Sequence, residues 1–454
     1  MFASKSAGAA LFLGLCSPLV MAENVITVSR TADRFDPACV SDCSLREAIH
    51  RANHTPGPTR IVLRGGPYTL TLSDPIWNQE TDPDPDENEC FRGDLDVRGE
   101  LTIVGAGQAE TIIRSSGEPL TGDRLIEVVE GASLSLRRLT LRDGLSDTQG
   151  GALRNRGRAL VQQVSFISNR SSAGIEGEGG AIANYGTLTV SQSLFEDNLS
   201  IGKQGFYGLG GAIFNLGTVQ VRDTTFRDNT AADYDDTDLA QGGALYNQGH
   251  ADVARSTFVG NAAGLSIDNG GGAAIANRKG GVLILTNSTL SGNTGTDTNG
   301  VLANGISGYP EDAQAQAKLV NVTIAGNEGL ALSNVGQLVL RNSLVAGNRL
   351  EGMPANCANS GGYLARGLLL GTDQGNCASD LPMDDALTWS TVLYPLADNS
   401  GATWTHALRR GSPAIDVGVG SCTSADQRAV TRPHDGDGDG SAICDLGAYE
   451  RTRP

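Results

Sequence analysis

The segment Gly179-Gly-Ala-Ile-Ala-Asn184-Tyr-Gly-Thr-Leu-Thr-Val-Ser-Gln-Ser-Leu-Phe195-Glu-Asp-Asn198 contains one complete unit of a repeat. In this unit a pair of glycines leads to an asparagine, and a short strand-like stretch follows. An aromatic residue then lies three positions before a second asparagine. Units of this kind recur with a period of roughly 31 residues, which is the sequence signature of a solenoid.

The repeat can be followed along the chain by its glycines, asparagines and aromatic residues. The glycine pairs begin at Gly150, Gly179, Gly210, Gly242 and Gly271. The asparagines that follow them are Asn155, Asn184, Asn215, Asn247 and Asn277. The aromatic residues and their second asparagines are Phe166 with Asn169, Phe195 with Asn198, Phe226 with Asn229, and Phe258 with Asn261. In later units the aromatic position becomes aliphatic, at Leu290, Ile324 and Val345.

The pattern inside each unit indicates strands. Leu188 and Val190 alternate with polar residues ahead of Phe195, which is the period of a half-buried strand. Leucine-rich, ankyrin and tetratricopeptide repeats would each need a helix in some form, and residues 101–378 contain no amphipathic helical pattern. We therefore predict an all-β fold, a single-stranded right-handed parallel β-helix of the pectate-lyase-like kind, across residues 101–378.

Two sets of side chains should stack from coil to coil in such a fold. We expect Phe166, Phe195, Phe226 and Phe258 inside the helix, about 4.8 Å apart along its axis. We expect the asparagines at turns, where this residue tolerates left-handed dihedrals and its amide can bond to the next coil. The glycines allow the positive φ and the close backbone approach that corners need.

The first 22 residues have the features of a secretory signal peptide. Lys5 precedes an apolar stretch from Ala7 to Val20, and Val20-Met21-Ala22 forms a small-residue cleavage site. The apolar stretch is too short to span a bilayer. The sequence therefore predicts an exported protein, secreted or at the cell surface, without a membrane span.

Export would explain the cysteines of the mature chain, which lie towards its two ends and are absent from the central coils. We divide the mature chain into an N-terminal cap with first coils (23–100), the repeats (101–378) and a C-terminal capping region (379–454). Disulfide bonds would staple the two terminal regions. Proximity favours the pairs Cys39–Cys43, Cys357–Cys377 and Cys422–Cys444, with Cys90 left over.

A short helix is predicted between the signal peptide and the repeats. Ser44 and Glu47 have the spacing of a capping box, and the apolar residues that follow fall on one helical face. Pro56 and Pro58 end the helix. We expect it to close the N-terminal end of the β-helix and to shield edge strands, with structural roles for Arg46 and Glu47.

Several stretches resemble known families. Cys43-Ser-Leu-Arg-Glu-Ala-Ile49 resembles the CSLREA domain of exported bacterial β-helix proteins, and the repeats are similar to those of chlamydial polymorphic outer membrane proteins. The tail from Gly411-Ser-Pro-Ala-Ile-Asp416 to Asp445-Leu-Gly-Ala-Tyr-Glu450 resembles a C-terminal motif that often accompanies CSLREA. The resemblance implies an exported β-helix with a surface or adhesin-like role.

The charge of the chain limits its partners. The 51 acidic and 34 basic residues give a net charge of −17. Binding of nucleic acid requires a broad basic surface, so nucleic acid is not an expected partner. We expect a polysaccharide or a cell surface as the partner, and a monomer as the oligomeric state.

The main candidate for ligand binding is a cluster of arginines. Arg154, Arg156 and Arg158 would share one face of an extended segment, and Arg137, Arg138 and Arg142 lie one coil earlier. Guanidinium groups bind carboxylates and sulfates through pairs of parallel hydrogen bonds. A general use of Arg in place of Lys explains the same pattern, and no residue is predicted to be catalytic.

A loop near the C-terminus is the candidate metal site. Asp435, Asp437 and Asp439 alternate with glycine, so three carboxylates can converge on a hard cation such as calcium. The twelfth loop position is Leu446, which excludes an EF-hand. A plain Asp-Gly turn is the alternative, and the acidic stretch 82–89 is a weaker calcium candidate.

Two functions remain open. The first is a non-enzymatic exported β-helix that acts as a surface, matrix or adhesin-like binding element, with its ligand on the variable loops. The second is a polysaccharide-active enzyme, a lyase or hydrolase of acidic polysaccharide, which the superfold also supports. None of the histidines has the Gly-His-Gly setting expected in polygalacturonases. Arginines gathered with an acidic residue and a tyrosine in one groove would favour the second function.

Overall fold

The structure is a computed structural model that describes residues 22–72, 90–116, 123–147, 149–172, 177–202, 207–233, 240–264, 271–295 and 300–452. The predicted signal sequence up to residue 21 and the acidic stretch 82–89 lie outside the described residues.

Parallel strands stacked coil upon coil form the body of the molecule, so the predicted parallel β-helix is confirmed. Its right-handed coiling is the rule for parallel strands joined by crossovers. Three sheets extend along the body, and we name them sheet I, sheet II and sheet III, with 20, 10 and 5 strands. A complete coil passes through sheet II, then sheet I, then sheet III.

The strands are short and regularly spaced. Sheet I consists of Asn24–Thr27, Thr59–Val62, Gly66–Leu70, Glu100–Val104, Thr111–Ser115, Ser133–Arg142, Arg158–Ile167, Thr187–Ser191, Leu194–Glu196, Thr218–Arg222, Thr225–Arg227, His250–Ala254, Thr257–Val259, Val282–Thr286, Thr289–Ser291, Gln316–Val320, Thr323–Ala325, Gln337–Ala346, Gly362–Gly371 and Leu381–Met383. Sheet II consists of Leu95–Val97, Ile126–Val128, Leu153–Asn155, Ile182–Asn184, Ile213–Asn215, Leu245–Asn247, Ile275–Asn277, Leu302–Asn304, Leu332–Asn334 and Cys357–Asn359. Sheet III consists of Leu145–Ser146, Arg170–Ser172, Leu199–Gly202, Thr230–Asp233 and Ala262–Ala263.

Smaller elements complete the described chain. The paired short strands are Gly177–Glu178 with Gly208–Leu209, Arg349–Leu350 with Met353–Pro354, and Leu393–Ala397 with Thr405–Leu408. The helices are α1 (Leu45–Asn53), two 3₁₀ helices at Pro310–Gln314 and Asp385–Leu387, and a π-helical turn at Thr388–Val392.

The predicted phenylalanine stack is confirmed. The ring centroids of Phe166 and Phe195 lie 4.6 Å apart, those of Phe195 and Phe226 4.8 Å, and those of Phe226 and Phe258 4.6 Å. All four rings are fully buried. Their spacing equals the distance between hydrogen-bonded strands, so one phenylalanine per coil fills the core without a gap.

Asparagines form two ladders with hydrogen bonds between coils, as predicted, but those of the first ladder lie in strands and not at the expected turns. One ladder runs in sheet II, where Nδ2 of Asn155 donates to Oδ1 of Asn184 at 2.7 Å. The second runs inside the turns, where Asn169 donates to Asn198 at 2.9 Å. The expected left-handed dihedrals of these asparagines are wrong, because positive φ occurs at the residue before each turn asparagine, as at Asp197. The side-chain amides of the ladder asparagines form hydrogen bonds with the next coil, so these buried polar groups have partners.

A single residue with positive φ bends sheet I in each repeat. We call these positions the corner residues, and their φ values lie between 46° and 64°. Strand pairing continues in register on both sides of the bend. The corner residues are Arg138, Gln163, Gln192, Asp223, Arg255, Asn287, Asn321, Asn342 and Gly367.

Helix α1 begins with the predicted capping box, formed by Ser44 and Glu47. Arg46 on this helix is completely buried, and its guanidinium donates to both carboxylate oxygens of Asp33, at 2.9 and 3.2 Å. It also donates to the carbonyl oxygens of Arg92 at 2.9 Å and Gly93 at 2.8 Å. The structural roles expected for the CSLREA-like residues follow from these contacts.

The region after the last coil returns along the outer face of sheet I. Its residues Leu393, Leu408 and Leu446 form a second core against Leu344 and Leu369 of the β-helix. The three predicted disulfide bonds, Cys39–Cys43, Cys357–Cys377 and Cys422–Cys444, are all present. The remaining described cysteine is Cys90, which is a buried free thiol.

Buried charges hold the tail motif together. Glu450 pairs with Arg432, and both side chains are fully buried. Asp426 pairs with Arg428 at 2.7 Å and accepts the backbone N–H of Glu450 at 2.9 Å. Burial and the nearby Glu450 carboxylate raise the pKa of Asp445 to about 7. The residues of this motif therefore have a structural role in closing the tail on itself.

Candidate functional site

The structure separates the three arginines that the sequence grouped. Arg154 lies in sheet II with 7% of its surface exposed, and Arg156 follows in the turn with a half-exposed side chain. Arg158 begins the next strand of sheet I, beyond the turn at Gly157, and is exposed. Arg154 and Arg156 are brought together, and Arg158 is not part of their cluster, because the chain changes sheets between them.

A carboxylate of the preceding coil neutralises this cluster. Glu127 occupies the position of sheet II that pairs in register with Arg154, and it is 1% exposed. It accepts a hydrogen bond from Arg154, another from Arg124 at 3.0 Å, and lies 3.5 Å from Nε of Arg156. Arg124 also pairs with Asp94 at 2.8 Å. The arginines and carboxylates of this cluster therefore compensate one another's charge within the fold.

A tyrosine adjoins the cluster. The hydroxyl of Tyr185 donates to Glu178, and Glu178 accepts a second hydrogen bond from Gln149 at 3.0 Å. Burial and the Glu178 carboxylate raise the pKa of Tyr185. The arginines, the acid and the tyrosine that would favour catalysis are thus close together. However, a tyrosine that resists ionisation is a poor general base.

Sheet I carries an open cleft at its N-terminal coils. We call it the first cleft; its volume is about 530 Å³, and it lies beside the bend at Arg138. The lining side chains are three arginines, one glutamate, two glutamines and two small polar or apolar groups. They are Glu23, Arg60, Thr102, Val104, Arg137, Arg138, Gln162 and Gln163.

Two neighbouring arginines give the first cleft its charge. Arg137 and Arg138 are both exposed, and neither forms an ion pair with any carboxylate that the structure describes. Nε of Arg137 donates to Ser135 at 3.1 Å, which leaves the outer guanidinium nitrogens of that side chain for other partners. Arg60 pairs with Glu23 at 3.1 Å, and both side chains are about half exposed. The cleft is therefore locally cationic on a protein of negative net charge.

The aspartate loop differs in part from the predicted calcium site. Asp435 and Asp437 each place a carboxylate oxygen within 4.8 Å of the other and of Asp416, which the sequence did not single out. Asp439 is outside this group, and its Oδ1 accepts the backbone N–H of Ser441 at 2.7 Å. Burial raises the pKa of Asp416. Three carboxylates suit a hard cation, and calcium binding stays a prediction.

The strand pairing defines the fold as a parallel β-helix. No family model matches the chain, and no curated protein is similar to it in sequence. Among solved structures, the pectate lyase Pel9A is similar with a TM-score of 0.47 and 13% identity, over 95% of this chain and 98% of the lyase.

Two further solved structures show weaker similarity. The PL6-family alginate lyase AlyGC aligns with a TM-score of 0.33 and 10% identity, over 95% of this chain and 60% of that one. A pectin methylesterase bound to a hexasaccharide aligns with a TM-score of 0.28 and 13% identity, over 81% and 94%. Because all of these scores are low, the strand pairing described above carries the assignment of the fold. Among the described residues, no helix is both long and apolar enough to cross a membrane.

Proposed function

We propose that this protein is an exported, non-enzymatic β-helix that binds acidic polysaccharide in its first cleft, as a surface, matrix or adhesin-like element. The observation that carries the proposal is the pair Arg137 and Arg138, which are exposed, adjacent and without a described carboxylate partner. Carboxylates and sulfates of a polysaccharide would supply the missing anions, because guanidinium groups pair with them in two parallel hydrogen bonds.

The charged cluster on sheet II is poorly suited to cleavage. We therefore propose binding as the function and the first cleft as the binding site. Glu127 already compensates Arg154, and the raised pKa of Tyr185 keeps its hydroxyl protonated. A β-elimination enzyme needs an available cation and a group that can accept a proton. Arg156 is the one member of the cluster with a half-exposed guanidinium, so a lyase centred on Arg156 and Tyr185 is the alternative function.

Export to an oxidising compartment is part of the proposal. The structure contains three disulfide bonds, and stable disulfide bonds are typical of secreted proteins. Cleavage after Ala22 would leave Glu23, a residue of the first cleft, as the new N-terminus. The mature α-amino group would then add a positive charge at the edge of this cleft.

Binding to immobilised polyuronate and to a sulfated polysaccharide, measured by biolayer interferometry, tests the function. Arg137→Gln and Arg138→Gln should each weaken binding about tenfold, because each removes charged hydrogen bonds. Arg366→Gln is the matched control, since Arg366 is an exposed arginine of the same sheet outside the cleft. Higher salt should weaken binding of the wild-type protein, because these charges are exposed.

The same preparations distinguish binding from catalysis. Incubation with polyuronate and measurement of ultraviolet absorbance detects the unsaturated products of elimination. We expect binding without such products. Product formation that Arg156→Gln abolishes would establish the lyase alternative, and equal binding by Arg137→Gln and the wild type would contradict the proposed site.

A further inference from the structure

A second cleft lies on the other side of the bend in sheet I, and it shares Gln163 with the first cleft. Its volume is about 370 Å³. Amides and hydroxyls dominate its lining, and the returning C-terminal region forms one wall. The lining includes Gln108, Gln163, Ser165, Gln192, Asp223 and Ala402.

The two clefts together span several coils. In the strand register, the coil of Glu23 and the coil of Asp223 are six spacings apart. Six spacings of about 4.8 Å amount to about 29 Å along the axis, which accommodates several sugar residues of an extended chain. The C-terminal wall is fixed in place, because Thr403 donates to the carbonyl of Arg255 at 3.0 Å and Trp404 accepts from Thr257 at 2.6 Å.

Most of the corner residues that line the clefts have long side chains. Positive φ is tolerated best by Gly, Asn and Asp, and the later corners use Asn287, Asn321, Asn342 and Gly367. Four corners line the clefts, and three of them, Arg138, Gln163 and Gln192, are long side chains that rarely adopt this conformation, while the fourth is Asp223. The next corner, Arg255, is also long, but it lies outside both clefts and pairs with Asp223. Sparsely populated backbone conformations are enriched at functional sites, which directs attention to the side chains of these corners.

The amides at these corners are available to a ligand. Gln163 and Gln192 are exposed, and neither side chain forms a hydrogen bond with another described residue. Asp223, in contrast, is held by Arg255 through two bonds of 2.7 Å. Apart from Asp223, whose charge Arg255 compensates, the second cleft presents neutral donors and acceptors, which match the hydroxyl groups of sugars.

We propose that the two clefts form one continuous subsite for a long acidic polysaccharide chain. Arg137 and Arg138 bind its acid groups, while Gln163 and Gln192 bind the hydroxyl groups of the following sugar residues across the bend. This inference rests on the proposed function and extends it, because it specifies an elongated oligosaccharide and not a single charged sugar as the ligand.

Isothermal titration with an oligouronate disaccharide and decasaccharide tests the inference. The wild type should bind the decasaccharide at least about fivefold more tightly, the effect of one or two added hydrogen bonds. Gln192→Asn shortens the amide at a position that Asn tolerates better, so it should keep or raise the thermal midpoint and abolish the preference for the long chain. Ala402→Trp, which fills the second cleft from its exposed wall, should have the same effect on binding.

Controls separate the possible failures. Gln220→Asn alters an exposed amide of sheet I outside both clefts and should behave as the wild type. Equal affinity for both oligouronates, unchanged in Gln192→Asn and Ala402→Trp, would overturn the continuous subsite and leave the first cleft intact. No binding of either oligouronate would overturn the proposed function as well. Equal or tighter binding of poly-glutamate would show that the groove recognises acidic polypeptide instead.

Discussion

The side-chain Oδ2 of Asp416 accepts a hydrogen bond from the backbone N–H of Asp437 at 2.9 Å. The same oxygen accepts the N–H of Gly436, also at 2.9 Å. These bonds attach the aspartate loop to the start of the tail motif and bring a third carboxylate to Asp435 and Asp437. Oδ1 of Asp416 is buried and accepts no hydrogen bond of ordinary geometry from the residues that the structure describes.

The first prediction concerns calcium. If calcium binds, it should raise the thermal midpoint of the wild-type protein by mass action. Asp416→Asn should abolish this increase because it weakens one of three carboxylate ligands. Asp439→Asn should retain the increase, since Asp439 lies outside the cluster. Calorimetry with and without calcium measures the difference, and loss of the effect in Asp439→Asn alone would restore the ligand set predicted from the sequence.

The second prediction concerns the phenylalanine stack. Phe226→Ala should lower the free energy of unfolding by about 3–5 kcal/mol, because it leaves a cavity between two stacked rings. Phe91→Ala is the control, since the side chain of Phe91 is 46% exposed and lies outside the stack. Denaturant unfolding of both variants makes the comparison, and losses of equal size would contradict the stacked core.

The third prediction concerns the buried arginine of the CSLREA-like segment. Arg46→Ala should lower the free energy of unfolding by about 3–5 kcal/mol, because Asp33 would remain as an uncompensated buried charge. Arg51→Ala removes an exposed arginine from the same helix and should cost far less. A variant Arg46→Ala as stable as the wild type would contradict this role of Arg46 in holding Asp33 and the carbonyl groups of Arg92 and Gly93.

Much of the fold follows from short-range patterns in the sequence. The spacing of Phe195 and Asn198 recurs often enough to define the coil, and the capping box at Ser44 depends only on neighbouring residues. The disulfide pairs join cysteines that are close in the chain. Each of these features depends only on the repeat period or on residues that are close in the chain. The sequence alone was therefore sufficient to predict them.

The site was less predictable because it depends on contacts between coils. Glu127 neutralises Arg154 from the preceding coil, and alignment of the two strands in register would have revealed the pairing. Asp416 joins the aspartate loop from the start of the tail motif, with no spacing rule to indicate it. The first cleft lies beside the bend at Arg138. This bend was not predictable, because a positive φ is not expected of an arginine from its sequence context.

The last prediction concerns His406, which fastens the C-terminal hairpin to sheet I. The ring is 2% exposed; its Nδ1 donates to the carbonyl of Tyr394 at 2.8 Å, and its Nε2 lies 2.9 Å from the hydroxyl of Ser291. The carbonyl can only accept, so a neutral ring receives a hydrogen bond from Ser291 at Nε2. Burial lowers the pKa of His406 from 6.5 to about 4.

This pKa shift predicts a loss of stability in acid. Between pH about 6.5 and about 4 the unfolded chain binds a proton at His406 while the folded protein does not, so the free energy of unfolding falls as the pH decreases. Over this whole pH range, the free energy of unfolding decreases by about 3 kcal/mol because of His406. Asp445, with its raised pKa, has the opposite dependence, because the folded state takes up a proton first as the pH falls through about 7.

Comparison of variants isolates the histidine from this opposing effect. Urea unfolding of the wild type and of His406→Gln at pH 7 and pH 4.5 should show a smaller pH-dependent loss in the variant, because Gln does not titrate. His250→Gln removes an exposed histidine and should keep the pH dependence of the wild type. If His406→Gln loses as much stability as the wild type between these two pH values, protonation of His406 does not release the hairpin.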